Sequence, residues 1–142
     1  MSEFSFYYPI TIRYSDLDPQ GHVNNAAYLS YLESARFGYY EAAGIWQRGA
    51  SVRTGMVVAR VEIDYLAPIF LGQSIRVGLR VDRLGEMSFT FAFQIESIPD
   101  GKTFARGITV MVAYDDQSER SIPLPPDWRA KFNRLEKQEG TG

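Results

Sequence analysis

One long helical pattern, preceded by a single strand pattern and followed by four more in succession, constrains this chain more than any other feature. From Phe4 to Tyr14 the even positions read Phe4, Phe6, Tyr8, Ile10, Ile12 and Tyr14, the period-2 alternation of a half-buried strand. Pro9 has no N–H to donate, which places that strand at an edge or a bulge. The helical pattern then runs through Tyr28, Leu32, Ala35, Tyr39 and Ala42, with Ser30, Glu33, Ser34 and Glu41 on the opposite side. Asn24 or Asn25 can cap its start and Gly44 its end. Gly38, inside it, costs about 1 kcal/mol relative to Ala on an exposed surface, so another backbone is expected to approach there.

After a crossover over residues 45–54, four alternating runs follow: Val61 to Tyr65, Ile75 to Val81, Phe89 to Ile95 and Ile108 to Tyr114. Their core faces are read as Val61, Ile63, Tyr65; Ile75, Val77, Leu79, Val81; Phe89, Phe91, Phe93, Ile95; and Ile108, Val110, Val112, Tyr114. Pro68 with Gly72, then Gly85, then Pro99-Asp100-Gly101 mark the turns between them. Short connections imply antiparallel pairing. A five-stranded antiparallel sheet with one apolar face, plus one amphipathic helix, buries both surfaces when the sheet curls around the helix. The predicted class is therefore α+β, five antiparallel strands wrapped around one long central helix.

At 142 residues, 45% apolar and 23% charged, the chain has the size and balance of one globular domain over 1–142. Residues 121–142 are read as its proline-rich C-terminal tail, with a short helix through Trp128, Phe132 and Leu135 and a polar, frayed end. A net charge of −2 provides no positive field to gather nucleic acid. With no cysteine, disulfides, thiolate nucleophiles and Cys-ligated zinc are excluded. No apolar run approaches a membrane span, and Met1 to Phe6 lacks a secretory leader pattern, so a cytoplasmic protein without membrane contact is expected.

Chemistry concentrates between the first strand and the helix. Asp16-Leu17-Asp18-Pro19-Gln20-Gly21-His22-Val23-Asn24-Asn25 holds two carboxylates, the only histidine and two asparagines. The first turn of a helix presents unpaired N–H groups and the positive end of the peptide dipoles, a seat for a polarised carbonyl or an oxyanion. A carboxylate just upstream can act on the same carbonyl as general base or nucleophile. Read from composition alone, an Asp ahead of a helix is a cap or turn former more often than a catalyst.

The run Tyr14 to Tyr28, followed by Tyr31-Leu32-Glu33-Ser34-Ala35-Arg36, resembles the signature of the 4-hydroxybenzoyl-CoA thioesterase-like acyl-CoA thioesterases. Val61-Glu62-Ile63-Asp64-Tyr65-Leu66-Ala67-Pro68-Ile69 with Gly72, Arg106-Gly107 and Ile122-Pro123-Leu124-Pro125-Pro126 extend the likeness over nearly the whole chain. The resemblance implies a hotdog fold and hydrolysis of an acyl-CoA thioester to a free acid. By it, Asp18 is the catalytic acid, Asn25 supplies the backbone amide that polarises the carbonyl, and His22 supports them. Gly21, Asn24 and Tyr28 are the expected substrate contacts. It also implies no metal or other cofactor, and a homo-oligomer, a dimer or a homotetramer built as a dimer of dimers, with sites at the dimer interface. Asn24 and Asn25 stand where the 4-hydroxybenzoyl enzyme has aromatic residues, which favours an aliphatic acyl group.

Other readings remain beside this one. A calcium loop fails because Ala27 stands where the twelfth-position glutamate is required. An Asp-x-Asp phosphoryl-transfer site lacks the threonine expected after it. An acyl carrier protein thioesterase, a dehydratase of the same fold using His22, and a non-catalytic acyl-thioester-binding module stay open. Glu33 with Arg36 reads as a pair on the helix surface. The arginines Arg76, Arg80, Arg83 and Arg106 either face water or meet CoA phosphates.

Overall fold

The computed structural model describes residues 3–140, with side chains described through Lys137. Strand β1 (Phe6–Ile10) leads into helix α1 (Asn25–Ala43), and β2 (Met56–Tyr65), β3 (Ile75–Leu84), β4 (Ser88–Ser97) and β5 (Thr103–Asp115) follow. A two-residue β6 (Arg120–Ser121) and helix α2 (Pro126–Gly140) come last among the described elements. The readings made for Met1 and Ser2, and for the side chains after Lys137, lie outside the described residues.

Every pairing is antiparallel, and the sheet order is β1-β3-β4-β5-β2, with β6 added alongside β5. β1 and β2, the two strands that α1 joins, therefore lie at opposite edges of this path. Four inter-strand spacings separate those edges by about 19 Å. α1 has 19 residues, a length of about 28 Å, enough to cross the sheet from one edge to the other. This is the hotdog arrangement, and Pro9 sits on an edge strand as its missing N–H requires.

The core forms where the inner face of α1 meets the sheet. Tyr28, Leu32, Ala35 and Tyr39 are buried as their spacing predicts, together with Tyr31 and Tyr40, whereas Ala42 is exposed. Tyr39 meets Phe91 edge-on at 5.0 Å between ring centroids. What crowds Gly38 is aromatic rather than backbone: a Cβ there would lie 2.5 Å from the Tyr8 ring.

β5 departs from its predicted face. Thr109, Met111 and Ala113 point inward with Ala105, leaving Ile108, Val110 and Val112 half-buried on the other side. The reason lies in β4, where Phe89, Phe91, Phe93 and Ile95 face inward as predicted and pair with Met111, Thr109, Gly107 and Ala105. The phenylalanines fill the interior, so their partners must be small or slender. Gly107 is the extreme case: a Cβ there would lie 1.9 Å from the Glu62 carbonyl oxygen and 3.0 Å from the Phe93 ring.

The tail helix α2 is longer than the sequence pattern suggests, at 15 residues. Phe132 is buried against Phe89 at 4.6 Å, and Glu136 Oε2 accepts hydrogen bonds from the Tyr39 hydroxyl, Ser5 Oγ and the Val81 N–H. α2 thus docks on the same core that α1 crosses.

Candidate active site

The segment between β1 and α1 is held from three directions. Asp16, 5% exposed, accepts hydrogen bonds from the Tyr31 hydroxyl at 2.6 Å and the Arg13 N–H at 2.9 Å, and pairs with the Arg13 guanidinium at 3.2 Å. Burial pushes its carboxyl up, but these donors outweigh burial and hold it below its ordinary value. The Asp16 carbonyl accepts from the Asn24 N–H at 2.8 Å, closing the segment at the base of α1. The Val23 N–H donates to the Ile69 carbonyl at 2.8 Å, and His22 bridges Phe70, tying the segment to the β2–β3 connection.

Inside this frame Asp18 begins a tight turn. Its N–H donates to the His22 carbonyl at 2.9 Å, and the Gly21 N–H returns to the Asp18 carbonyl at 3.0 Å. Gly21 has φ +89°, a conformation that other residues rarely adopt. The Asp18 carboxylate accepts the Gln20 N–H on Oδ1 at 2.9 Å, while Oδ2 lies 3.2 Å from His22 Nδ1. The Asp18 side chain is 25% exposed and that of His22 32%, so both reach solvent. The His22 ring also meets Phe70 edge-on at 5.9 Å.

Asn24 caps α1 by accepting the Ala26 N–H at 2.9 Å. Asn25 is the first residue of the helix, and no partner for its N–H occurs among the described residues. Its carbonyl accepts the Tyr65 hydroxyl at 3.3 Å. Nearly one turn on, the buried Tyr28 ring meets Tyr65 edge-on at 4.9 Å, and burial pushes the Tyr28 hydroxyl up.

Asp18, His22, Asn25 and Tyr28 therefore line one pocket of about 340 Å³, closed by Val23, Tyr65, Leu66, Ala67 and Pro68. Gly21 and Asn24 lie outside its lining: the first shapes the turn and the second the helix start. Tyr65 and the segment from Leu66 to Pro68 are site residues that the sequence does not mark as such, although they stand in the signature run that ends at Ile69. The Val23–Ile69 hydrogen bond brings them to the site, a contact that no local spacing discloses. The pocket places a carboxylate, an imidazole and an uncommitted amide N–H around one small volume with apolar walls. That set can polarise a carbonyl and deliver a nucleophile to it.

Outside the pocket, the expected Glu33 to Arg36 surface pair does not form. Glu33 is exposed, whereas Arg36 is 7% exposed and shares no hydrogen bond or ion pair with it. Burial pulls the Arg36 guanidinium below its ordinary value, against the attraction of Tyr40 and Glu33. Arg76 and Arg80 are engaged with Glu96 and with Glu3 and Asp82.

A family model for the thioesterase-like superfamily matches residues 12–132. A Thermus thermophilus thioesterase, solved in complex with coenzyme A and zinc, superimposes with a TM-score of 0.82 at 36% identity, covering 96% of this chain and 98% of that one. The 1,4-dihydroxy-2-naphthoyl-CoA hydrolase of Rippkaea orientalis is 31% identical over 120 residues, 82% of this chain and 87% of that protein. The long-chain acyl-CoA thioesterase FadM of Escherichia coli is 27% identical over 128 residues, 90% of this chain and 97% of its own length. With fold and likeness in agreement, the chain belongs to the thioesterase-like superfamily. It is a hydrolytic enzyme of that hotdog class, and among the described residues no helix is long and apolar enough to cross a membrane.

Proposed function

We propose that this protein hydrolyses an aliphatic acyl-CoA thioester to the free acid and CoA in the pocket at the start of α1. The observation that carries this reading is the meeting of the Asp18 carboxylate with the unpartnered Asn25 N–H in one cavity. The thioester carbonyl oxygen accepts the Asn25 N–H at the positive end of α1, which stabilises the charge that develops on it. Asp18 takes a proton from water, and the resulting hydroxide adds to the carbonyl carbon. Collapse of the tetrahedral intermediate expels the thiolate, a good leaving group that needs no strong acid. Direct attack by Asp18 to give a mixed anhydride is the other route. The general-base route is favoured because both carboxylate oxygens already have donors beside them, the Gln20 N–H and His22 Nδ1. His22 thereby orients Asp18, with its ring braced by Phe70.

Both relatives support a CoA thioester as substrate, the long-chain acyl-CoA thioesterase FadM supports its aliphatic character, and the apolar walls Val23, Leu66 and Pro68 suit an acyl chain. The reading includes a homo-oligomer. Support comes from β2, an edge strand with exposed Val57 and Val58 that leaves one side open to a second copy.

Free-thiol release across acyl-CoAs of differing length and aromaticity, with Asp18→Asn in parallel, tests the assignment. Asp18→Asn is expected to lower kcat by at least about 100-fold without shifting the thermal midpoint. Wild-type turnover in that variant would remove Asp18 from the chemistry, and release from no acyl-CoA would sink the substrate assignment.

A further inference from the structure

The start of α1 has to hold one N–H in a fixed direction, and the sheet supplies part of that hold. The Asn25 N–H belongs to the peptide that joins Asn24 to Asn25, whose carbonyl accepts the Ala27 N–H at 2.9 Å. The next peptide, from Asn25 to Ala26, is gripped at both ends. Its N–H donates to Asn24 Oδ1 at 2.9 Å, and its carbonyl accepts the Tyr65 hydroxyl at 3.3 Å. Each peptide is a rigid plane, and the two meet at the Asn25 Cα. Fixing the second therefore limits where the first, with its unpartnered N–H, can point.

Tyr65 is itself firmly placed. It is the last residue of β2, and just beyond it the Leu66 and Ala67 N–H groups donate to the Phe104 carbonyl at 2.8 and 3.2 Å, pinning that end of the strand to the start of β5. Its ring rests edge-on at 4.9 Å against Tyr28, which is 3% exposed and set in the core. Among the described residues no other hydrogen bond joins β2 to α1. A phenol has a single proton to donate, and here it is committed to the Asn25 carbonyl, so Tyr65 acts on the helix and not on a bound acyl group. We propose, on the hydrolysis reading above, that Tyr65 is a positioning residue for that reaction: it anchors the first peptide of α1 to the sheet and so aims the Asn25 N–H at the thioester carbonyl. A hydrogen bond to that oxygen strengthens as charge develops on it, so a poorly aimed N–H costs the transition state more than the bound substrate.

Thiol-release kinetics of Tyr65→Phe, alone and combined with Asn24→Ala, together with backbone amide relaxation of the full chain by NMR, test the assignment. Tyr65→Phe keeps the ring and should lower kcat about tenfold while KM stays within about twofold of wild type. In the Asn24→Ala background the same change should lower kcat several times further than it does in wild type, because the two side chains hold one peptide and either alone restrains it. The order parameter of the Asn25 amide should fall in Tyr65→Phe from about 0.85 towards about 0.6, with the amides of the Asp18 turn unchanged. Wild-type kcat in Tyr65→Phe, a loss confined to KM, or losses that simply multiply in the double variant would each overturn the proposal. So would a lower solution mass for Tyr65→Phe in sedimentation velocity, which would assign the hydroxyl to a contact between copies. The relaxation measurement needs no turnover: an unchanged Asn25 amide overturns the hold itself, whereas absence of thiol release from the wild type overturns the hydrolysis reading and the catalytic consequence drawn from it.

Discussion

Replacing Tyr31 by Phe removes one hydroxyl and tests how the Asp18 segment is held. That hydroxyl donates to Asp16 Oδ2 at 2.6 Å, and Tyr31 and Asp16 are each 5% exposed. A buried hydrogen bond to a charged acceptor contributes about 1.5–3 kcal/mol. The Arg13 N–H and guanidinium remain on the carboxylate after the change, so a loss of about 2 kcal/mol is expected, roughly 7 °C in Tm for a chain of this size. The pH dependence sharpens the test. Because the folded Asp16 is held below its unfolded value, its contribution is fully present above about pH 3.9 and fades as pH falls through the folded value. A protonated Asp16 offers Tyr31 only a neutral partner, so the gap between wild type and Tyr31→Phe should narrow to about 1 kcal/mol in strong acid. Urea unfolding at neutral pH and along an acid series measures this. A gap below about 0.5 kcal/mol at neutral pH, where surface changes usually fall, or one that stays constant into acid, would refute the reasoning.

Three further outcomes follow from the geometry. Gly107→Ala forces a Cβ onto the Glu62 carbonyl and should destabilise by about 3 kcal/mol or more in thermal unfolding, with Gly107→Ser no better. Asn24→Ala should cost about 1 kcal/mol through loss of the α1 cap while Asn24→Asp is nearly neutral, and a KM rising much more for Ala than for Asp would tie the side chain to substrate as well. His22→Ala should lower kcat for thiol release by less than Asp18→Asn does; an equal loss would make His22 a proton carrier rather than the residue that orients Asp18.

Much of this architecture is legible in the residues themselves. The strands and α1 follow from periodicity, and Asn24, Gly44 and the turn residues mark boundaries because local backbone chemistry decides them. What periodicity cannot supply is which face of a doubly apolar strand turns inward. On β5 both sets are apolar enough, and the choice is made by the phenylalanines of β4 across the register. The same limit applies at the site. Asp18, His22 and Asn25 are neighbours in the chain and stand out together, whereas Tyr65 and Pro68 arrive by a long-range hydrogen bond between Val23 and Ile69. The burial of Arg36 is illegible for a related reason: its spacing from Glu33 suits a surface pair, and only the packing of the crossover and β2 around it buries the charge.

The placement of β1 and β2 at opposite edges also sets the order in which a growing chain can find its partners. β1 pairs with β3, and β2 with β5, so neither has its partner when it first leaves the ribosome. β3, β4 and β5 are neighbours in sequence and can zip as successive hairpins. The Asp18 segment follows the first of these strands and is tied to Ile69 and Phe70, just after the second, so its long-range contacts lie beside both of the strands that wait. A chain stalled before Thr103 would carry every residue of the candidate site while β2, which supplies Tyr65 to it, still lacked its partner.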